Sequence, residues 1–149
     1  MIRVVVELDK TIARKIMVAR VDMIAIETAA DLASVVELML KSGHSRLPVD
    51  RDNLDKVTGI VYARDILRHI VKKGSLNISL SSDLVRPVLF IPESKTLEEL
   101  LNEFQHRYVH IAIVVDEYGG ISGLVTIEDL LEEIIGEMQD IFDIGESGF

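Results

Sequence analysis

Gly59-Ile60-Val61-Tyr62-Ala63-Arg64-Asp65-Ile66-Leu67 and Gly123-Leu124-Val125-Thr126-Ile127-Glu128-Asp129-Leu130-Leu131 are one nine-residue pattern written twice, 64 positions apart. In both copies an apolar run meets an acidic residue and then an amphipathic stretch, the pattern of a strand entering a helix. The repetition extends upstream. Gly43-His44-Ser45-Arg46-Leu47-Pro48-Val49-Asp50 answers Val109-His110-Ile111-Ala112-Ile113-Val114-Val115-Asp116, with His44 and His110 66 positions apart. Those spacings predict a second repeat with a loop two residues shorter.

Each half reads β-α-β-β-α. In the first, residues 23–26 are the strand, and Asp31 caps a helix whose apolar face is Leu32, Val35, Val36, Met39 and Leu40. Gly43 suits its C-terminal end. In the second, residues 88–91 are the strand, and Thr96 with Glu99 forms a capping box ahead of Leu97, Leu100, Leu101 and Phe104. Strand pairs follow at 47–49 with 57–61 and at 111–115 with 121–125, the second closed by Asp116-Glu117-Tyr118-Gly119-Gly120. A last helix ends each half, lined by Ile66, Leu67, Ile70 and Val71, and by Leu130, Leu131, Ile134, Ile135 and Met138. The expected layout is a lead-in (1–11), repeat 1 (12–73), a linker (74–82), repeat 2 (83–141) and an acidic tail (142–149). Halves of this size bury too little surface to be stable alone, so the fold expected is α/β (α+β), with both repeats packed as one pseudo-symmetric module.

Composition narrows the function. The 149 residues are 48% apolar and carry a net charge of −9, with no Lys or Arg beyond Arg107. A nucleic-acid partner needs a basic face and is disfavoured. The chain has no cysteine, which removes disulfides, thiolate metal sites and cysteine nucleophiles. No apolar run reaches the roughly 18 residues of a membrane span, and the start is too short for a signal peptide. A soluble, cytoplasmic chain without direct membrane insertion is expected. No nucleophile-and-base constellation and no phosphate loop is present, so no catalytic residue is assigned and no enzyme is expected.

The β-α-β-β-α repeat ending in Gly-x-x-Thr-x-x-Asp resembles the cystathionine-β-synthase-type (CBS) domain. The segments Arg86-Pro87, Phe90-Ile91-Pro92-Glu93-Ser94 and Asp116-Glu117-Tyr118-Gly119-Gly120, followed by Gly123 to Glu133, are similar to the CorC and hemolysin C group of magnesium and cobalt efflux proteins, which includes the cyclin M transporters. The resemblance covers residues 9–143. It implies a regulatory module that binds an adenine nucleotide (ATP, ADP or AMP), alone or with Mg2+. The implied partners are a membrane domain, a C-terminal domain and a second copy in a homodimer.

Thr126 and Asp129 carry the chemistry. A carboxylate accepts from two vicinal ribose hydroxyls. A threonine hydroxyl and the N–H groups of a helix start suit phosphate. Helix capping is the ordinary alternative for this pair. By resemblance, Ile24 and Leu124 flank an adenine, backbone groups at Ile24 and Ala25 read its edge, and His44 and Arg46 approach the phosphates. For Arg46 a surface ion pair is an equal alternative. His44 and His110 stand at strand edges, where a structural hydrogen bond is the commoner role. A weaker, pseudo-symmetric site would use Tyr62, Asp65, Leu89 and His110. There Tyr62 replaces the expected threonine, and its ring could occupy phosphate space. Val18-Ala19 departs from the family's Thr-Pro beside the first site. No metal site is assigned. Two other readings stay open: a ligand-free dimerisation module, and direct divalent-cation sensing by the acidic face of Glu128, Glu132, Glu133 and Glu137.

Overall fold

The computed structural model describes residues 10–74, 80 and 83–146. Most of the lead-in and linker, and the end of the acidic tail, lie outside the described residues. In chain order the elements are α1 (Ala13–Ile16), β1 (Val18–Ala19), a 3-10 turn (Arg20–Asp22), β2 (Ile26–Glu27), α2 (Leu32–Ser42), β3 (Arg46–Arg51), β4 (Asn53–Tyr62), α3 (Ala63–Lys73), β5 (Val85–Arg86), β6 (Phe90–Pro92), α4 (Leu97–Arg107), β7 (Ile111–Val115), β8 (Ile121–Thr126) and α5 (Ile127–Glu146). They divide into two compact units, Ile24–Val88 and Met1–Met23 with Leu89–Phe149.

In the unit Ile24–Val88 the sheet order is β2-β3-β4-β5. β2 and β3 are parallel, which requires α2 as the crossover between them. α2 begins where the Asp31 carboxylate accepts from the Ser34 amide at 2.9 Å; the Ser34 side chain, and after it this amide, lower the carboxyl pKa of Asp31. It ends at Gly43, whose φ of 76° is the left-handed cap. Leu32, Val35 and Met39 of α2 pack with Leu47, Val49, Val61 and Ile66. The strand expected at 23–26 forms at Ile26–Glu27 instead, because pairing with Val49 and Asp50 sets its place. Leu40 on the apolar face of α2, and Leu67 and Val71 on that of α3, are 80%, 61% and 79% exposed.

The other unit orders its sheet β1-β8-β7-β6. Its strand expected at 88–91 forms at Phe90–Pro92, parallel to β7. The Thr96–Glu99 capping box forms in both directions. Leu97, Leu100 and Phe104 of α4 join Ile91, Ala112, Val114, Val125 and Leu130 in a core. Leu131 and Ile135 of α5 are half exposed. The Asp116 carboxylate accepts from the amides of Tyr118 and Gly120 and closes the β7–β8 turn. α5 continues to Glu146, through residues read from the sequence as the start of the tail.

The compact units do not coincide with the sequence repeats. β1, from the start of repeat 1, pairs with β8 of repeat 2. β5, from the start of repeat 2, pairs with β4 of repeat 1. Each repeat thus completes the sheet of the other. The recurring glycines make this possible. A Cβ at Gly123 would run into the Val18 carbonyl, and one at Gly59 into the Val85 side chain and the Arg86 carbonyl.

Candidate functional site

Leu124, Thr126 and Asp129 belong to the unit that holds α5, as do Leu89 and His110. Leu124 is buried in β8, opposite Val18 and Ile113. Thr126 ends that strand and caps α5: its Oγ accepts the Asp129 amide at 3.2 Å. The Ile127 amide donates to the His110 carbonyl at 2.9 Å. Two of the helix-start amides that the sequence offers to a phosphate are therefore already engaged. The Asp129 carboxylate stands partly exposed in the first turn. Leu89 is buried in the core of the same unit, and its carbonyl accepts from Ile113.

Ile24, Ala25, His44, Arg46, Tyr62 and Asp65 belong to the unit Ile24–Val88. Ile24 and Ala25 are half-buried ahead of β2. His44 is exposed, and its amide donates to the Ser42 hydroxyl. Arg46 opens β3 opposite Tyr62. The Ala63 amide donates to the Ser45 carbonyl at 2.8 Å, the counterpart of the Ile127–His110 bond.

That counterpart corrects the alignment of the repeats. Strand register equates Val49 with Val114 and Leu47 with Ala112, since Gly59 and Gly123 are their respective partners or fix them. His110 thus takes the place of Ser45, and Ile111 that of Arg46. The equivalence of His44 with His110 is off by one residue. A bulge at Val49/Asp50 in one hairpin and at Val114/Val115 in the other hides the slip from sequence. Asp50 then falls where Val115 stands, and it is 8% exposed with an unpartnered Oδ1. Burial, with Glu27 and Asp52 nearby, pushes its carboxyl pKa up.

At the start of α3, Asp65 is occupied by a partner that sequence reasoning missed. Arg86 of β5 makes a two-pronged pair with it, Nε to Oδ2 at 2.7 Å and Nη2 to Oδ1 at 2.9 Å. This pair holds the Asp65 carboxyl below its ordinary pKa, helped by Arg64 and Arg68. The Arg86 and Arg64 guanidinium carbons lie over the Tyr62 ring at 4.7 and 5.1 Å from its centre. Tyr62 is 4% exposed. The position equivalent to the Asp129 carboxylate is thus neutralised, and its threonine counterpart is a buried, cation-covered ring. The available signal was Gly59, which demands a strand passing close by, but nothing local says that Arg86 rides on it.

The acidic face of α5 has partners of its own. Lys15 lies 3.9 Å from Glu133, and the Thr11 hydroxyl donates to Glu137 at 3.3 Å. Among the described residues no group of three or more His, Asp or Glu side chains is placed to hold a metal ion. Among them, too, no helix is long and apolar enough to cross a membrane.

The CBS-domain profile matches residues 13–72 and 81–136. The chain belongs to the CBS-domain family, as a tandem pair of the CorC and hemolysin C group. It is 42% identical over 144 residues to the magnesium and cobalt efflux protein CorC of Vibrio cholerae, covering 96% of this chain and 48% of that protein. It is 41% identical over 138 residues to hemolysin C of Brachyspira hyodysenteriae, covering 93% and 50%. The chain spans about half the length of these curated relatives. The CBS domain of a bacterial CNNM/CorC family Mg2+ transporter, solved in complex with ATP, superimposes with a TM-score of 0.82 at 41% identity, covering 91% of this chain and 94% of that one. A CBS-domain pair from Klebsiella pneumoniae with bound AMP gives 0.71 at 34% identity, covering 84% and 98%.

Proposed function

We propose that this CBS pair is the non-catalytic, adenine-nucleotide-sensing regulatory module of a CorC-like magnesium and cobalt efflux protein, working on the cytoplasmic face of its membrane domain. One observation carries the reading: of two equivalent helix starts, only that of α5 presents its aspartate without a bidentate arginine, beside a small hydroxyl residue. In this reading Asp129 holds the ribose, Thr126 donates its hydroxyl proton to phosphate while its oxygen caps the helix, and Leu124 lies against the base. Ile24, Ala25, His44 and Arg46 are proposed as further contacts on the strength of the family resemblance alone. The relative solved with ATP supports the ligand class.

The module is also proposed to form a homodimer. Leu67 and Val71 on α3, and Leu131 and Ile135 on α5, stand at matching repeat positions and are exposed. Such paired apolar steps call for a covering surface.

Calorimetry with ATP, ADP and AMP, each with and without magnesium, tests the sensing role. One nucleotide per chain is expected. No heat with any of them at millimolar concentration would leave a ligand-free dimerisation module.

A further inference from the structure

Beside α3 lies a cleft of about 400 Å3, lined by Asp65, Arg68, His69, Lys72, Asp83 and Arg86. Three permanent cations there face two carboxylates, so the lining is net positive in a chain whose net charge is −9. Asp65 is already committed to Arg86 through Nε and Nη2, which leaves Arg86 Nη1 outside the pair. The Nε2 of His69 is buried and lacks a hydrogen-bond partner. That nitrogen is closed to solvent, so the ring serves the cleft as wall and not as a donor.

The repeat sharpens the point. Residues 65, 68, 69 and 72 of α3 correspond to 129, 132, 133 and 136 of α5, which are Asp, Glu, Glu and Gly. One backbone design carries an acidic face in one copy and a basic cleft in the other. A charged cluster of this kind on a helix is ordinarily solvated, but here it surrounds a concave volume.

We propose that this cleft is a second ligand site, taking a small phosphate-bearing anion and requiring no nucleoside. Arg68, Lys72 and the outer nitrogen of Arg86 supply charge-assisted hydrogen bonds to phosphate oxygens. The carboxylate at the helix start, which holds the ribose in the nucleotide reading of α5, is here taken by Arg86. This site lies within the unit Ile24–Val88 and does not rest on the nucleotide reading.

The test is calorimetry of the 149-residue chain with inorganic pyrophosphate as probe, repeated on Arg68→Glu/Lys72→Glu and on Asp129→Ala. Both Arg68 and Lys72 are exposed, so the double variant should stay folded, with a modest drop in melting temperature because Arg68 lies 4.0 Å from Asp65; the melt is measured alongside. Losing two charge-assisted bonds should weaken pyrophosphate about tenfold or more. Asp129→Ala should leave it unchanged, and adenosine should not compete. No pyrophosphate binding at 10 mM (roughly the weakest affinity worth calling a site), unchanged affinity in the double variant, or loss in Asp129→Ala would each overturn the proposal. A parallel arm uses vesicles of phosphatidic acid. Binding to vesicles without binding to pyrophosphate would overturn the free-anion reading in favour of a membrane surface.

Discussion

The starts of α3 and α5 occupy the same place in the two repeats and have almost nothing chemical in common. Both follow a strand with a glycine four residues before the helix, Gly59 and Gly123, and both donate their first amide to a carbonyl before the preceding hairpin. Beyond that backbone frame they part. α5 opens on a capping Thr126, a partly exposed Asp129 and the acids Glu132 and Glu133. α3 opens on a buried Tyr62, an Asp65 clamped by Arg86, and the bases Arg68 and His69. The lesson is that duplication preserves what the main chain needs, close approach and amide satisfaction. It leaves the side chains to diverge in charge and hydrogen bonding. An internal repeat is strong evidence for the fold and weak evidence for two equal sites.

The sharpest way to break this comparison is a pair of substitutions. Asp129→Ala should abolish measurable nucleotide binding by calorimetry. Asp65→Ala should leave affinity within about twofold, because the charge-assisted bond lost in the first case is worth about 1.5–3 kcal/mol and in the second was never offered to the ligand. Equal losses would mean that both helix starts bind.

A smaller effect is expected from magnesium. With Glu128, Glu132 and Glu133 on the α5 side, ATP should bind about tenfold more weakly in EDTA than with magnesium, since the ion offsets polyphosphate charge against the carboxylates. Identical isotherms in the two buffers would remove α5 acidity from the account.

The clamp on α3 should appear in stability instead. Asp65→Ala removes a two-pronged pair from a site where the Asp65 side chain is 14% exposed and Arg86 37%. The expected cost is about 1 kcal/mol, or roughly 2–4 °C in melting temperature. Because the Asp65 pKa is depressed in the folded state, this stabilisation is full above the ordinary carboxylate pKa. It is lost as pH falls through the folded value, so the gap between wild type and variant should close below about pH 4. A gap that persists in acid would point to packing rather than charge.

The smallest expected effect has the opposite sign. The raised pKa of Asp50 means that its ionised form opposes folding at neutral pH, a penalty relieved as pH falls toward the ordinary carboxylate range. Asp50→Asn should therefore raise the melting temperature by about 1–3 °C at pH 7 and by nothing near pH 3. A loss at pH 7 would show that the carboxylate has a partner worth keeping.

Much of the architecture was legible. Asp31, Thr96–Glu99 and Gly43 are local devices whose partners lie within a turn, so spacing alone reveals them. The hairpins were legible because apolar runs and turn residues alternate. β1 and β5 were not, since two-residue strands have no periodicity and their partners lie far off in sequence. The exposure of Leu67 and Val71 was hidden for a related reason: helical period shows that a face is apolar, not what covers it. At the site, Thr126 and Asp129 stood out as a motif, whereas the Arg86 clamp depends on where a distant strand runs.

The exchange of β1 and β5 has a consequence for how the chain is made. Ile24–Val88 is one continuous stretch, complete as soon as its last strand has left the ribosome. The other unit must wait for α5 and then recover β1 from the far side of everything between. Closing so long a loop in an unfolded chain would cost about 4 kcal/mol of entropy. A first unit that is already compact draws the ends together and reduces that cost. Synthesis order and folding order should therefore run together, with the basic-clefted unit forming first and the Asp129 helix start last. A gene cut at the repeat boundary would yield two products, each missing a strand that the other carries.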